Sequence, residues 1–348
     1  MLNRSPVRIN LLLGFLLLTC CVMSLLLGNQ FTPVATFMNW LSGLLTGQVT
    51  GADDSVEGII LGQIRAPRIA LAAMTGFALG LSGAAIQGLL RNPLAEPSLL
   101  GASNSAALGA VVVIYLGLSG TLSYAVPVAA SIAALFSVGL LLVLAGRGSD
   151  TIRLILAGFA VSAFAGAGIA LALNLSPNVF AALEIAFWLL GAVENRTWQH
   201  VLLALPLILP GCVLLFSGGR SLDALSLGED TARSLGVGLA GLRVRVVSGM
   251  ALAVGGAVAV TGVIGFVGLI APHLARPLTG AMPSRSLLPS ALIGALMLVV
   301  ADSFIRILPT TTELKLGVVT AFIGVPLFLV LLLRGGLLRG GLLREGKP

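Results

Sequence analysis

Long uninterrupted apolar runs separated by short polar stretches dominate the chain. The first runs from about Ile9 to Gly28, just after Arg4 and Arg8. A polar stretch holding Asp53, Asp54 and Glu57 follows, and further runs begin near Ile69, Leu99, Ala125, Ile152 and Val201. A polar segment from about Ser217 to Arg245 breaks the pattern, and runs resume near Val246, Val263, Leu287 and Leu316. Crossing about 30 Å of hydrocarbon takes roughly 20 apolar residues in a helix, so the pattern predicts ten membrane-spanning helices. An even number puts both termini on one side. The first run lacks a small-x-small cleavage site and reads as a retained span. The eighth is the weakest, short and carrying Pro272, His273 and Arg276. A broken helix of that kind is tolerated only where it is packed inside the protein.

Charge supports the count. With the termini inside, 15 of the 20 basic residues fall on the cytoplasmic side, and only Arg65, Arg68, Arg196, Arg306 and Lys315 fall outside. That asymmetry is what the positive-inside rule asks for. Only 9% of residues are charged and 57% are apolar, against about 25% charged in a soluble domain, so the composition excludes a water-soluble fold. The net charge of +7 is a topology signal, and nucleic acid is excluded as a partner. Cys20, Cys21 and Cys212 lie in apolar runs and make neither a disulfide framework nor a zinc site. The reading is an all-α polytopic membrane protein, one transmembrane domain over 1–348 with a cytoplasmic loop at about 218–245.

A faint internal repeat adds to this. At an offset of 179, Ala72, Gly76, Ala78, Gly83, Leu90, Pro93 and Gly101 meet Ala251, Gly255, Ala257, Gly262, Leu269, Pro272 and Gly280. The repeat links spans two and seven, which cross in opposite directions, as in transporters built from inverted repeats. Small residues at these positions also suit close helix packing in a membrane.

Candidate chemistry is sparse. The two histidines, His200 and His273, are far apart and lack metal-ligand spacing, and no catalytic motif occurs. No catalytic residue and no metal site is expected. The phosphate-cradling G-x-x-x-x-G-K-[ST] sequence is also absent, so ATP would have to be handled elsewhere. Asp302 falls near the outer end of span nine and Glu184 outside span six, neither being the midplane relay that a proton-coupled carrier uses. The informative segment is the inside loop Leu225 to Gly236. Glu229 and Asp230 early and Arg233 later suit a short helix. Leu227, Ala232 and Leu235 give it an apolar side, and Gly236 a stop. Such a helix suits docking by a soluble partner.

Taken together, these stretches resemble the permease subunit of the type II ABC importers for ferric siderophores, haem and cobalamin. The resemblance rests on Arg65-Ala66-Pro67-Arg68; on Gly83 to Gln87 running into Arg91-Asn92-Pro93-Leu94-Ala95-Glu96-Pro97 and Leu100-Gly101; and on Leu227-Gly228-Glu229 with Ala232 and Leu235-Gly236. It continues through Gly265-Phe266-Val267-Gly268-Leu269 with Pro272-His273 and Arg276, Ala301-Asp302 with Arg306, and Gly317-Val318 to Gly324-Val325-Pro326. It covers nearly the whole chain, and the family's ten spans agree with the hydropathy count.

The resemblance implies a transport subunit that performs no covalent chemistry and binds no cofactor; ATP and Mg are used by a partner ATPase. Residues 225–236, with Leu227, Gly228, Glu229, Asp230, Ala232, Arg233, Leu235 and Gly236, would form the coupling helix seated on that ATPase. Arg65, Arg68 and Arg306 would receive acidic residues of an extracytoplasmic substrate-binding protein. Ser149, Asp150 and Thr151 match the region of the inner gate. The implied assembly is two permease chains, identical or paralogous, two ATPases and one binding protein in the lipid bilayer. An iron chelate, ferric siderophore or haem, is the favoured substrate and cobalamin the alternative. A proton-coupled exporter and an intramembrane enzyme are the readings from other classes. The first is disfavoured by the missing midplane acids, the second by the missing catalytic set.

Overall fold

A computed structural model of the chain describes residues 6–28, 32–46, 56–121, 124–146, 151–309 and 313–342. Among these residues every regular element is helical: α1 (Pro6–Leu26), α2 (Val34–Thr46), α3 (Val56–Ile59), α4 (Ala66–Leu90), α5 (Ala102–Tyr115), α6 (Ala125–Ala145), α7 (Thr151–Asn174), α8 (Val179–Leu189), α9 (Trp198–Ser217), α10 (Gly219–Ser226), α11 (Glu229–Ser234), α12 (Leu239–Thr261), α13 (Val267–Thr279), α14 (Pro283–Ile307) and α15 (Leu316–Leu342). A π-helical segment, Ile60–Arg65, joins α3 to α4 without a break, and a 3₁₀ turn, Pro97–Leu100, precedes α5.

Seven of the helical stretches are long and apolar enough to cross a membrane. With the shorter α5 and α13, and with α15, they account for the ten expected spans. The starts agree within a few residues except in the second span, whose continuous helical stretch begins at Val56 and not near Ile69, and at α12, which begins at Leu239 rather than near Val246. Arg243 and Arg245 therefore stand on a helix instead of in a loop. The thirteen-residue α13 is too short to span alone, and its first turns are buried among neighbours, as a broken helix in a membrane requires.

Small residues decide which helices occupy the centre. The spans of α4, α12 and α14 are mostly buried, whereas those of α1, α6, α7 and α9 leave most of their surface open. Without a hydrophobic force between helices in lipid, close backbone approach is what makes helices adhere. Gly76 of α4 lies against Gly294 of α14, Gly80 against Ser290, and Gly83 against the backbone of Gly268 in α13. A Cβ on Gly83 would fall well inside contact distance of the Gly268 carbonyl oxygen. Gly83→Ala is therefore expected to destabilise by about 1–3 kcal/mol, the cost of overpacking. Gly139→Ala, on the open face of α6 with no atom nearby, should leave thermal unfolding of the purified protein unchanged or slightly raised.

The repeat at offset 179 places Ala72, Gly76 and Ala78 on α4 opposite Ala251, Gly255 and Ala257 on α12. The correspondence lapses further on: Gly83 lies in mid-helix, while Gly262 caps the end of α12.

Candidate functional site

The knob at residues 225–236 is built from the sequence outward. Leu227 and Gly228 close α10 with bonds to the carbonyls of Ala224 and Leu225. The chain then turns at Gly228 (φ 114°), a backbone state that L side chains avoid. α11 ends as Gly236 was expected to end it. Gly236 (φ 81°) donates to Arg233 and Val237 to Ala232 at 3.0 Å, the paired bonds of a left-handed helix stop.

The side chains divide differently from the expected single apolar side. Ala232 is fully buried against the bundle, but Leu227 (67% exposed) and Leu235 (62%) point outward, because they sit in the turns flanking α11 and not on its inner stripe. Glu229 is a strut. Its carboxylate accepts from Arg243 on α12 at 2.9 Å and lies 3.4 Å from Arg233. Asp230 is wholly exposed, 3.3 Å from Arg233. Asp223 on α10 accepts from the Ser284 backbone N–H at 2.8 Å, fixing α10 to the start of α14. The result is a rigid protrusion tipped by two leucines.

Beside it, Gln87 and Arg276 form a partly buried bridge. Arg276 Nη2 donates to Gln87 Oε1 at 2.7 Å, and Gln87 Nε2 donates to the Ala95 carbonyl at 3.2 Å. Glu96 accepts from the Phe266 backbone N–H at 2.8 Å, which satisfies an orphan donor at the start of α13. The motif Glu96-Pro97 and the motif Gly265-Phe266 are thus one contact across 170 residues, which no local spacing reveals.

At the far end of α4, Arg65, Arg68 and Arg306 come together, each only about 8% exposed. Arg68 Nη2 lies 2.8 Å from Asp302 Oδ1 and 2.9 Å from Glu313 Oε2. Arg306 Nε stands 3.1 Å from Asp302 Oδ2, within ion-pair reach though off the line of a hydrogen bond. Arg65 donates to the Leu25 carbonyl at 2.7 Å and to Thr32 Oγ1 at 2.9 Å. Arg306 donates to the Leu27 carbonyl at 3.2 Å and to Ser24 Oγ. Two arginines therefore satisfy carbonyls at and just past the end of α1, where a helix leaves acceptors unpaired and favours cations. Asp302 (1% exposed) is the buried counter-charge, and Glu313 (37%) is the outer one.

Nearby, Lys315 pairs with Glu194 at 2.5 Å and Trp198 Nε1 donates to the Gly62 carbonyl at 2.8 Å, so this end is tied across several spans. Of the gate residues, Ser149 and Asp150 lie outside the described residues, and Thr151 opens α7. His200 packs its Nδ1 3.3 Å from the Thr197 N–H and caps the start of α9. His273 is half-buried on α13. Glu184 falls within α8. Among the described residues no group of three or more His, Cys, Asp or Glu side chains is placed to hold a metal ion.

Comparison with known proteins matches residues 16–334 to the FecCD transport family. The chain belongs to that family. It is 37% identical over 333 residues to the hemin transport system permease protein HmuU of Yersinia pestis, covering 94% of this chain and 97% of that one. It is 39% identical over 326 residues to the vitamin B12 import system permease protein BtuC of Vibrio cholerae, covering 93% of each. Among solved structures it resembles a metal-chelate type ABC transporter in an inward-facing conformation, with a TM-score of 0.80, 31% identity, and coverage of 94% of this chain and 99% of that one. The ten-helix arrangement is thus the type II ABC importer permease fold. This FecCD chain is a polytopic permease of an ABC importer.

Proposed function

We propose that this FecCD permease moves an iron chelate, ferric siderophore or haem, across a bacterial inner membrane by alternating access. The chelate is handed over by an extracytoplasmic binding protein. Residues 1–348 act as one transmembrane unit with both termini inside, paired with a second permease chain, identical or a paralogue. Two ATPase subunits bind and hydrolyse ATP with Mg; this chain performs no covalent chemistry.

The observation that carries the reading is the leucine-tipped knob. Leu227 and Leu235 are exposed while Glu229 and Arg243 brace the helix between them. An exposed apolar pair on a rigid mount suits burial in a partner's groove, and rigidity lets the ATPases' closure tilt the spans. Arg65, Arg68 and Arg306 are assigned to binding-protein docking. Because their guanidinium groups are already bonded internally, they act at long range, through guanidinium charge and not through new bonds. That charge steers an acidic partner more than it adds contact energy. Ser149, Asp150 and Thr151 are assigned to the inner gate on family resemblance.

A second reading, cobalamin as substrate, is favoured by the 39% identity to the vitamin B12 permease. Proteoliposomes holding the permease, its ATPases and the binding protein decide between them. ATP-dependent uptake of haem or a radiolabelled ferric siderophore is expected. Uptake of cobalamin alone would move the assignment to the second reading. Uptake driven by a pH gradient without the ATPase would overturn both.

A further inference from the structure

A cleft of about 270 Å³ opens where the end of α4, the end of α10, α13 and the start of α14 meet. Gln87, Arg91, Asn92, Ser226, Pro272 and Arg276 line it. Ser226 is the residue before Leu227, so the cleft lies directly beside the knob. Neither Arg276 nor Arg91 has a carboxylate within ion-pair distance among the described residues. Arg276 is half-buried, and its one side-chain hydrogen bond there goes to neutral Gln87. A guanidinium carries five donors, and Arg276 uses one of them on Gln87 while lining the cleft. Arg91 is exposed and held by its own backbone, which adopts the left-handed state (φ 48°) at the end of α4. Removing a cation even partly from water without a counter-charge is unfavourable, and Arg91 adds a second cation to the same cleft. An incoming anion relieves both. The volume lies below the range of small-molecule pockets but admits a side chain, and the planar fork of Arg matches a carboxylate in two bonds.

We propose that this cleft takes an Asp or Glu side chain of the ATPase subunit, seated on Arg276 and Arg91 next to the Leu227 and Leu235 tips. The proposal rests on the reading that the knob docks an ATPase, and adds a polar socket that fixes the register of that joint.

The test uses the full-length permease in nanodiscs of zwitterionic lipid, titrated with its ATPase subunit across a salt series. R91N removes the charge with a residue that tolerates the left-handed backbone, and R276Q removes it from the buried side. Each is expected to weaken ATPase binding about tenfold and to flatten its dependence on salt. R276K should recover part of the loss. Unchanged affinity in both variants overturns the proposal. So does weaker binding with an unchanged salt slope, which a merely structural role would give. In nanodiscs containing phosphatidylglycerol, loss of only the gain that anionic lipid brings would make the cleft a lipid-phosphate site and overturn it as well. L227D with L235D tests the underlying reading separately: if that variant still binds the ATPase normally, the knob is not the joint, whatever the arginine variants do.

Discussion

Asp302→Asn is expected to destabilise the folded permease by about 3–5 kcal/mol, the range for removing one partner of a buried ion pair. Asp302 is the one carboxylate shared by Arg68 and Arg306, and all three are buried. Without its charge, Arg68 keeps Glu313, but among the described residues Arg306 is left with carbonyl and hydroxyl acceptors. The loss reaches beyond the pair, since Arg306 also holds the end of α1 onto α14 through Leu27 and Ser24. Glu313→Gln makes the informative contrast. Glu313 is partly exposed, so its pair with Arg68 is screened and its loss should cost no more than about 1 kcal/mol. Chemical unfolding of the protein in nanodiscs reads both. Asp302→Asn combined with Arg306→Met should regain more than half of the loss, because an apolar pair replaces an orphaned charge. An Asp302→Asn midpoint within experimental scatter of the native chain would show that the charge is not what holds this end together.

Much of this architecture is legible in the sequence, and the parts that are not have two causes. Apolar runs mark the spans because lipid demands them, and the glycines of α4 mark where helices touch. Hydropathy misplaces the start of α12 because it scores Arg243 and Arg245 as loop residues. In the fold, Arg243 is partnered by Glu229, fourteen positions away, and Arg245 lies 3.5 Å from the Ser217 carbonyl. The same blindness to partners hides the internal bonds of Arg65, Arg68 and Arg306. Asp302 four residues before Arg306 is a local hint of pairing, but Glu313 and the carbonyls of α1 come from other elements. Side-chain direction in short helices is the other gap. Leu227, Ala232 and Leu235 are all apolar, yet only the fold shows that the alanine faces in and the leucines face out.

That division of directions sets the largest functional effect. Leu227→Asp and Leu235→Asp are each expected to weaken ATPase association about thirtyfold, the loss of an interface anchor worth about 2 kcal/mol. The double variant should bring ATP-driven uptake to background. Both leucines are more than half exposed, so neither change disturbs the fold, and the permease should reach the membrane in normal amount with an unaltered unfolding midpoint. Ala232→Asp is the opposite case. It places a carboxylate at a fully buried position under α11, where an unpaired charge is not tolerated, so it should destabilise the knob itself and lower the amount of folded protein. Loss of uptake with retained folding in the leucine variants, and loss of folding in the alanine variant, separates a contact made by the knob from the scaffold beneath it. Uptake that survives the double leucine variant would mean that force enters the permease elsewhere.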